Sequence, residues 1–188
     1  MTEPASNKPR TWRPMAAWSV AVVAALGLLF VAAITYAKYR EVDRVLGRTF
    51  RKHFSPSMAK EAPLKTSEAV ALLGGPKQAA GKLGWYLRLP YHVKDVDELG
   101  MDIVYMKKCT ATILLAFCGP AGERQLVLVL QSNNLPMRMS ALQAFRQLQE
   151  VSPDGLSALQ DALNDKSEEV RTLAAEALKK IRGEETGK

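Results

Sequence analysis

The residues able to ligate a metal or act as nucleophiles are few. There are two histidines, His53 and His92, and two cysteines, Cys109 and Cys118. No pairing among them has the short spacing of a zinc-ligand set. His53 lies in a basic run, and His92 follows Pro90-Tyr91; both read as residues without a chemical role. If VYMKKCTATILLAF (104–117) is one helix, Cys109 and Cys118 lie on opposite faces, ~13 Å apart along the axis. A disulfide needs Cα atoms within ~7 Å, so both read as free thiols, unless this segment is not one helix. PKQAAGKL (76–83) resembles a phosphate-binding loop only superficially. It lacks the first glycine, has Leu83 where a magnesium-binding hydroxyl should stand, and follows no strand. Asp95, Asp97, Glu98 and Asp102 gather negative charge, but their spacing is not that of a calcium loop, and a solvated helix start explains them. No catalytic, cofactor-binding or metal-ligating set emerges. The chain reads as non-enzymatic, with no cofactor.

The elements that carry these residues are more informative. The net charge of +7 is unevenly spread. Residues 1–14 carry three basic groups and one acid, and residues 38–65 carry eight basic and three acidic groups. Residues 66–188 carry fifteen of each. The basic excess therefore flanks one apolar segment, the pattern of a membrane span rather than of a nucleic-acid-binding surface. No nucleic-acid partner is expected.

That segment, Met15 to Ala37, has no charge in 23 residues. As a helix it would extend ~34 Å, enough for a hydrocarbon core of ~30 Å. Trp12 and Trp18 near one end and Tyr36 and Tyr39 near the other suit the interfaces. Its apolar stretch is long for a cleaved signal peptide, which favours an uncleaved anchor. Ala17, Ala21, Ala25, Ala33 and Ala37 recur at fourfold spacing. Such a row lets helices approach closely in lipid, and alanine is also simply common in bacterial-type spans.

Residues 1–14 read as a flexible polar tail, 15–37 as a transmembrane helix and 38–56 as a basic juxtamembrane helix and linker. In this last stretch Val42, Leu46, Thr49 and Phe50 share one side. It is either a surface-lying amphipathic helix, with residues 38–52 against anionic lipid, or a solvated stalk. The side of the membrane is finely balanced. The fifteen residues after the span carry six basic and two acidic groups, a count that leans to a cytoplasmic C-terminal domain in the cell (inner) membrane. Residues 57–120 are the least legible. Ser67 is a candidate N-cap, Pro76 a helix start, and Gly119-Pro120 a helix end. This block reads as a mostly helical cap or as degenerate repeats, with strands as an alternative because VYM and TATILL tolerate them.

From Ala121 the chain repeats itself. A shift of 33 residues puts Gly122 on Gly155, Leu126 on Leu159, Leu130 on Leu163, Arg138 on Arg171, Ala141 on Ala174 and Ala144 on Ala177. Val170, Leu173, Ala174, Ala177, Leu178 and Ile181 form one apolar helix face, and Met137 to Leu148 repeats it. The two copies occupy 121–182, and 183–188 is a tail.

Leu159 to Leu178, read as L-x-D-A-L-x-D-x(4)-V-R-x(2)-A-A-x-A-L, resembles the HEAT repeat in the short form of the phycobilisome-lyase type. The resemblance implies that Asp165 caps the second helix and that Arg171, and Arg138 in the earlier copy, link neighbouring repeats. Ser132 stands at the earlier aspartate position, where it could cap but not form an ion pair. The resemblance implies an α-solenoid with an extended binding face. Together with the apolar segment it gives an all-α fold, a single N-terminal transmembrane helix followed by a short HEAT-like α-solenoid, and the function expected is that of a membrane-anchored protein-binding scaffold or adaptor. The candidate contact residues are Arg138, Met139, Gln143, Arg146, Arg171, Thr172, Glu176 and Lys179, with the two ladder arginines shared between contact and repeat pairing. A second reading is an accessory subunit of a larger membrane complex that makes its contacts through the span; the alanine row and block 104–117 favour it. A third, a lyase-type enzyme, needs an ionisable cluster in a cleft that the sequence does not supply.

Overall fold

The computed structural model describes the backbone of residues 13–54, 65–90 and 102–183, and side chains for 22–49, 65–90 and 102–183. His92, Asp95, Asp97 and Glu98 lie outside the described residues, as do residues 1–12 and 184–188 of the expected tails, and the side chain of His53 is likewise not described. Among the described residues the chain is entirely helical. Eight helices run α1 (Arg13–Phe54), α2 (Thr66–Leu72), α3 (Pro76–Arg88), α4 (Ile103–Ala116), α5 (Gly119–Leu130), α6 (Leu135–Phe145), α7 (Pro153–Ala162) and α8 (Glu168–Ile181). The strand alternative for VYM and TATILL is thereby replaced by α4. Two compact units divide at Lys38 and Tyr39.

The first unit holds most of α1. Its apolar side chains are exposed on every side: Val23 is 69% accessible, Leu28 72% and Phe30 68%. Such a helix finds no cover within its own unit. It is long and apolar enough to cross a membrane.

The second unit begins with the last turns of α1, and here the apolar face is covered. Val42 and Leu46 are fully buried, Val45 and Thr49 nearly so. They join one core with Leu73 of the turn after α2, Leu83 and Tyr86 of α3, and Leu114 and Leu115 of α4. The same turns hold polar links. Lys82 donates to Glu41 at 2.6 Å and Lys107 to Asp43 at 2.8 Å. Tyr39 and Tyr86 stack with ring centroids 5.8 Å apart. Both acids of this basic stretch are spent on α3 and α4, while Arg40 and Arg44 are exposed. Sequence periodicity located this face, but the cover expected for it, a membrane surface or solvent, is replaced by the core of the second unit.

The remaining helices start where local chemistry dictates. Proline occupies the first turn of α3, α5, α6 and α7, where its missing N–H costs nothing. The caps are Asp102 for α4, Asn134 for α6, Ser152 for α7 and Ser167 for α8, each side chain accepting a first-turn N–H. Ser67 is not a cap. α2 begins one residue earlier, and Glu68 accepts from the N–H of Lys65 at 3.0 Å. Gly119-Pro120, expected to end a helix, instead opens α5, after a two-residue turn at Phe117-Cys118. Gly119 adopts φ +59 to make that corner, which disfavours any residue with a Cβ.

The contacts among these helices follow a regular order. α3 packs on α4, α5 on α6 and α7 on α8; in addition α3 meets α5, α5 meets α7, α4 meets α6 and α6 meets α8. The apolar block 104–117 is therefore a core helix. Ala111, Thr112, Leu114 and Leu115 are buried among its neighbours, leaving Ile113 and Phe117 outside. Cys109 and Cys118 are free thiols, and burial pushes that of Cys118 up to about 11.

Candidate interaction surface

Two rungs of ion pairs join the last two helix pairs, and the 33-residue register generates them. Arg138 projects from the first turn of α6, where Asn134 has started the helix. Its Nη1 donates to the carbonyl of Ser132, six residues back, at 3.1 Å. Its Nη2 donates to Asp165 Oδ1 in the following repeat at 3.0 Å, and its Nε lies 2.9 Å from Oδ2. The Nε contact is an ion-pair contact without the alignment of a hydrogen bond. Arg138 is only 4% exposed, so this charge is consumed inside the molecule and leaves the candidate contact face. The second rung lies eight residues on. Arg146 donates to Glu176 of α8 at 3.1 Å, and Lys180 reaches the Arg146 carbonyl.

Asp165 works in both directions. Its Oδ1 also accepts from the N–H of Ser167 at 2.9 Å, supporting the turn into α8, although the cap itself is Ser167. Burial raises its pKa, but the Ser167 N–H and the Arg138 guanidinium outweigh that and hold the carboxyl below the usual range. The carbonyl of Asp165 accepts from Arg171 Nη1 at 2.7 Å, the same six-residue hook that Arg138 makes. Ser132, at the corresponding place one repeat earlier, does not cap. Its hydroxyl is buried without a hydrogen-bond partner, and Asn134 has taken the role. The reason is geometric: a serine cap must stand next to the first helical residue, and Ser132 stands three before Leu135.

The other proposed contact residues separate by environment. Gln143, Thr172 and Lys179 are exposed, Met139 is half-buried against the core, and Arg146 and Glu176 are the half-exposed rung. Where α5 and α6 meet α7 there is an open groove of about 380 Å³, bordered by Leu130, Ser132, Arg138, Asp161, Asp165 and Lys166 among others. Its one buried cation is already paired, and it holds no nucleophile next to a base. Among the described residues no three His, Cys, Asp or Glu side chains gather where one metal ion could sit.

Sequence reasoning missed three links. Glu123 of α5, 6% exposed, accepts from both the N–H and the hydroxyl of Ser152 at 2.8 and 2.7 Å. It thereby seats the start of α7, and Gly155 leaves the space, since a Cβ there would collide with Glu123 Oε1. The register could not flag Glu123, because Leu156 occupies its place in the next copy. Lys108 of α4, 5% exposed, donates to the carbonyls of Leu87 and Leu89 at 3.3 and 2.6 Å and so closes the end of α3. Burial pushes its amine below the usual lysine range. Glu41 and Asp43, hidden in a basic run, are the third.

Residues 156–181 match the family model of the HEAT repeat. The match covers α8 and most of α7 and includes Asp165 and Arg171. A search of curated proteins returned no match, and neither did a search of solved structures.

Proposed function

We propose that this chain is a single-pass protein of the cell (inner) membrane that holds a short HEAT-type α-solenoid as a non-catalytic scaffold or adaptor for other proteins. The observation that carries the reading is the order of helix contacts. α3–α4, α5–α6 and α7–α8 succeed one another with first helix on first helix and second on second, the arrangement in which repeat proteins offer extended binding faces. The HEAT match at 156–181 supports it, because such repeats serve protein interaction. The exposed apolar length of α1 supports an anchor. The contact face lies on the outward positions of α6 and α8, with Gln143, Thr172 and Lys179 its exposed members and Met139, Arg146 and Glu176 at its edge. Arg40 and Arg44, exposed on the stretch 38–52, suit anionic lipid.

The test is affinity capture of the tagged full chain in mild detergent. Gln143→Arg with Thr172→Glu should release the captured partner and leave thermal unfolding unchanged. Should those substitutions have no effect while exchange of residues 15–37 for an unrelated span releases it, the accessory-subunit reading takes over. The exposed alanines Ala25, Ala33 and Ala37 are what favour that second reading. A topology reporter fused after Lys188 should register the cytoplasm; a signal from the far side reverses the orientation.

A further inference from the structure

The rungs that join the last two repeats are one-directional. Each takes a cation from the earlier repeat and a carboxylate from the later one: Arg138 to Asp165, Arg146 to Glu176. The 33-residue register places Arg171 and Lys179 at the same two positions in the last repeat. Arg171 makes the same carbonyl hook as Arg138, through Nη1. Among the described residues no carboxylate reaches ion-pair distance of its guanidinium, whose charge is felt only by Glu169, two residues back in the first turn of α8, and none pairs with Lys179. A third position behaves alike. Leu130 is 6% exposed beside α7, whereas its counterpart Leu163 is 39% exposed. Three positions that a following repeat engages in one copy thus lack that engagement in the next: one apolar and two cationic, the cations ~12 Å apart along α8.

We propose that the outer side of α7–α8 is a docking end for a different, helical protein, one that presents two carboxylates in the register of Asp165 and Glu176 and an apolar residue over Leu163. The molecule itself displays the complement, since its own last repeat offers that acidic pair to Arg138 and Arg146. A second copy of this chain does not qualify as the occupant, because its Asp165 and Glu176 are already held by its own arginines. The polar exchanges Val127 to Gln160 and Met139 to Thr172 between equivalent positions keep the end compatible with water until the partner arrives. This proposal rests on the scaffold reading and narrows it from the side of the stack to its end.

The test uses the full chain in its native membrane with a benzophenone amino acid at Leu163 or, separately, at Gln143. From Leu163 the expected adduct is a single foreign polypeptide whose cross-linked helix carries two acids, and Arg171→Glu with Lys179→Glu should reduce it at least tenfold. No adduct from Leu163, an adduct with a second copy, or one indifferent to the charge reversal overturns the proposal. An adduct from Gln143 alone leaves the scaffold reading standing while the docking end falls; adducts from neither position remove both. A second measurement needs no partner. Appending a duplicate of residues 151–183 after Gly183 supplies the missing acids in cis. The double charge reversal should then lower the Tm of the extended chain more than that of the natural chain. Equal shifts would mean that the rungs do not form.

Discussion

Asp165 and Arg138 set the scale of what single residues contribute. The pair is nearly dry, with side chains 15% and 5% exposed, and removing one partner strands the other. Asp165→Ala should therefore cost about 3 kcal/mol, toward the lower end of what breaking a buried pair costs. Arg146→Ala removes a rung whose side chains are 34% and 46% exposed, and about 1 kcal/mol or less is expected. Denaturant midpoints of the two variants in the same detergent check the contrast; equal losses would mean that burial does not separate the rungs. The pH dependence has a definite sign. The Asp165 carboxyl is held below its ordinary range, so the folded state binds a proton there less readily than the unfolded chain. Its stabilising contribution is complete above the unfolded carboxylate value of about 3.9 and is lost as pH falls through the lower folded value. Acid unfolding of Asp165→Asn should accordingly show a shallower pH slope below about pH 4 than the natural chain.

At the scale of elements, the last turns of α1 carry the main lesson. Leu46 is fully buried in the core of the second unit, and Leu29, on the same helix, is 67% exposed. Leu46→Ala should cost about 2–5 kcal/mol as a core truncation, whereas Leu29→Ala should leave unfolding of the helical unit unchanged. If both were silent, the segment would be a mere stalk. This division was only half legible in the sequence. The spacing of Val42, Leu46 and Thr49 announces an apolar face, but its cover comes from residues far downstream, from Leu73 to Leu115, and the Glu41–Lys82 and Asp43–Lys107 links leave no periodic trace. The register of 33 exposes α5 to α8 because both copies keep the same small, apolar and arginine positions. It fails one pair earlier for physical reasons. Tyr105 stands where the ladder arginine should be, and α3, though continuous, carries a buried glycine, Gly84, in its apolar face. That glycine lies against the Gln125 side chain of α5, which a Cβ there would push aside. The rungs were legible as residue types, Asp165 with an arginine. That Arg138 rather than Arg171 is the arginine buried against Asp165 emerges only when the helices are laid side by side.

For the whole molecule, the consequence is where the folding unit starts. Two repeats bury too little apolar surface to stand without further cover, and this chain meets the need at one end with α3–α4, α2 and the turns of α1 that follow Tyr39. The compact unit accordingly runs from Tyr39, not from the linker after residue 54. A chain beginning at Tyr39 should lack the exposed apolar length of α1, leave the membrane fraction in flotation, and still unfold cooperatively. A chain beginning at Ser57 loses Val42, Val45 and Leu46 from the core together with the partners of Lys82 and Lys107. It should unfold at a markedly lower midpoint, or without a cooperative transition, because the face of α3 and α4 opened to water is apolar. Circular dichroism melts of the two truncations decide the matter. Equal midpoints would place the boundary after residue 54 and make the juxtamembrane turns a tether. A large difference makes them a structural part of the scaffold.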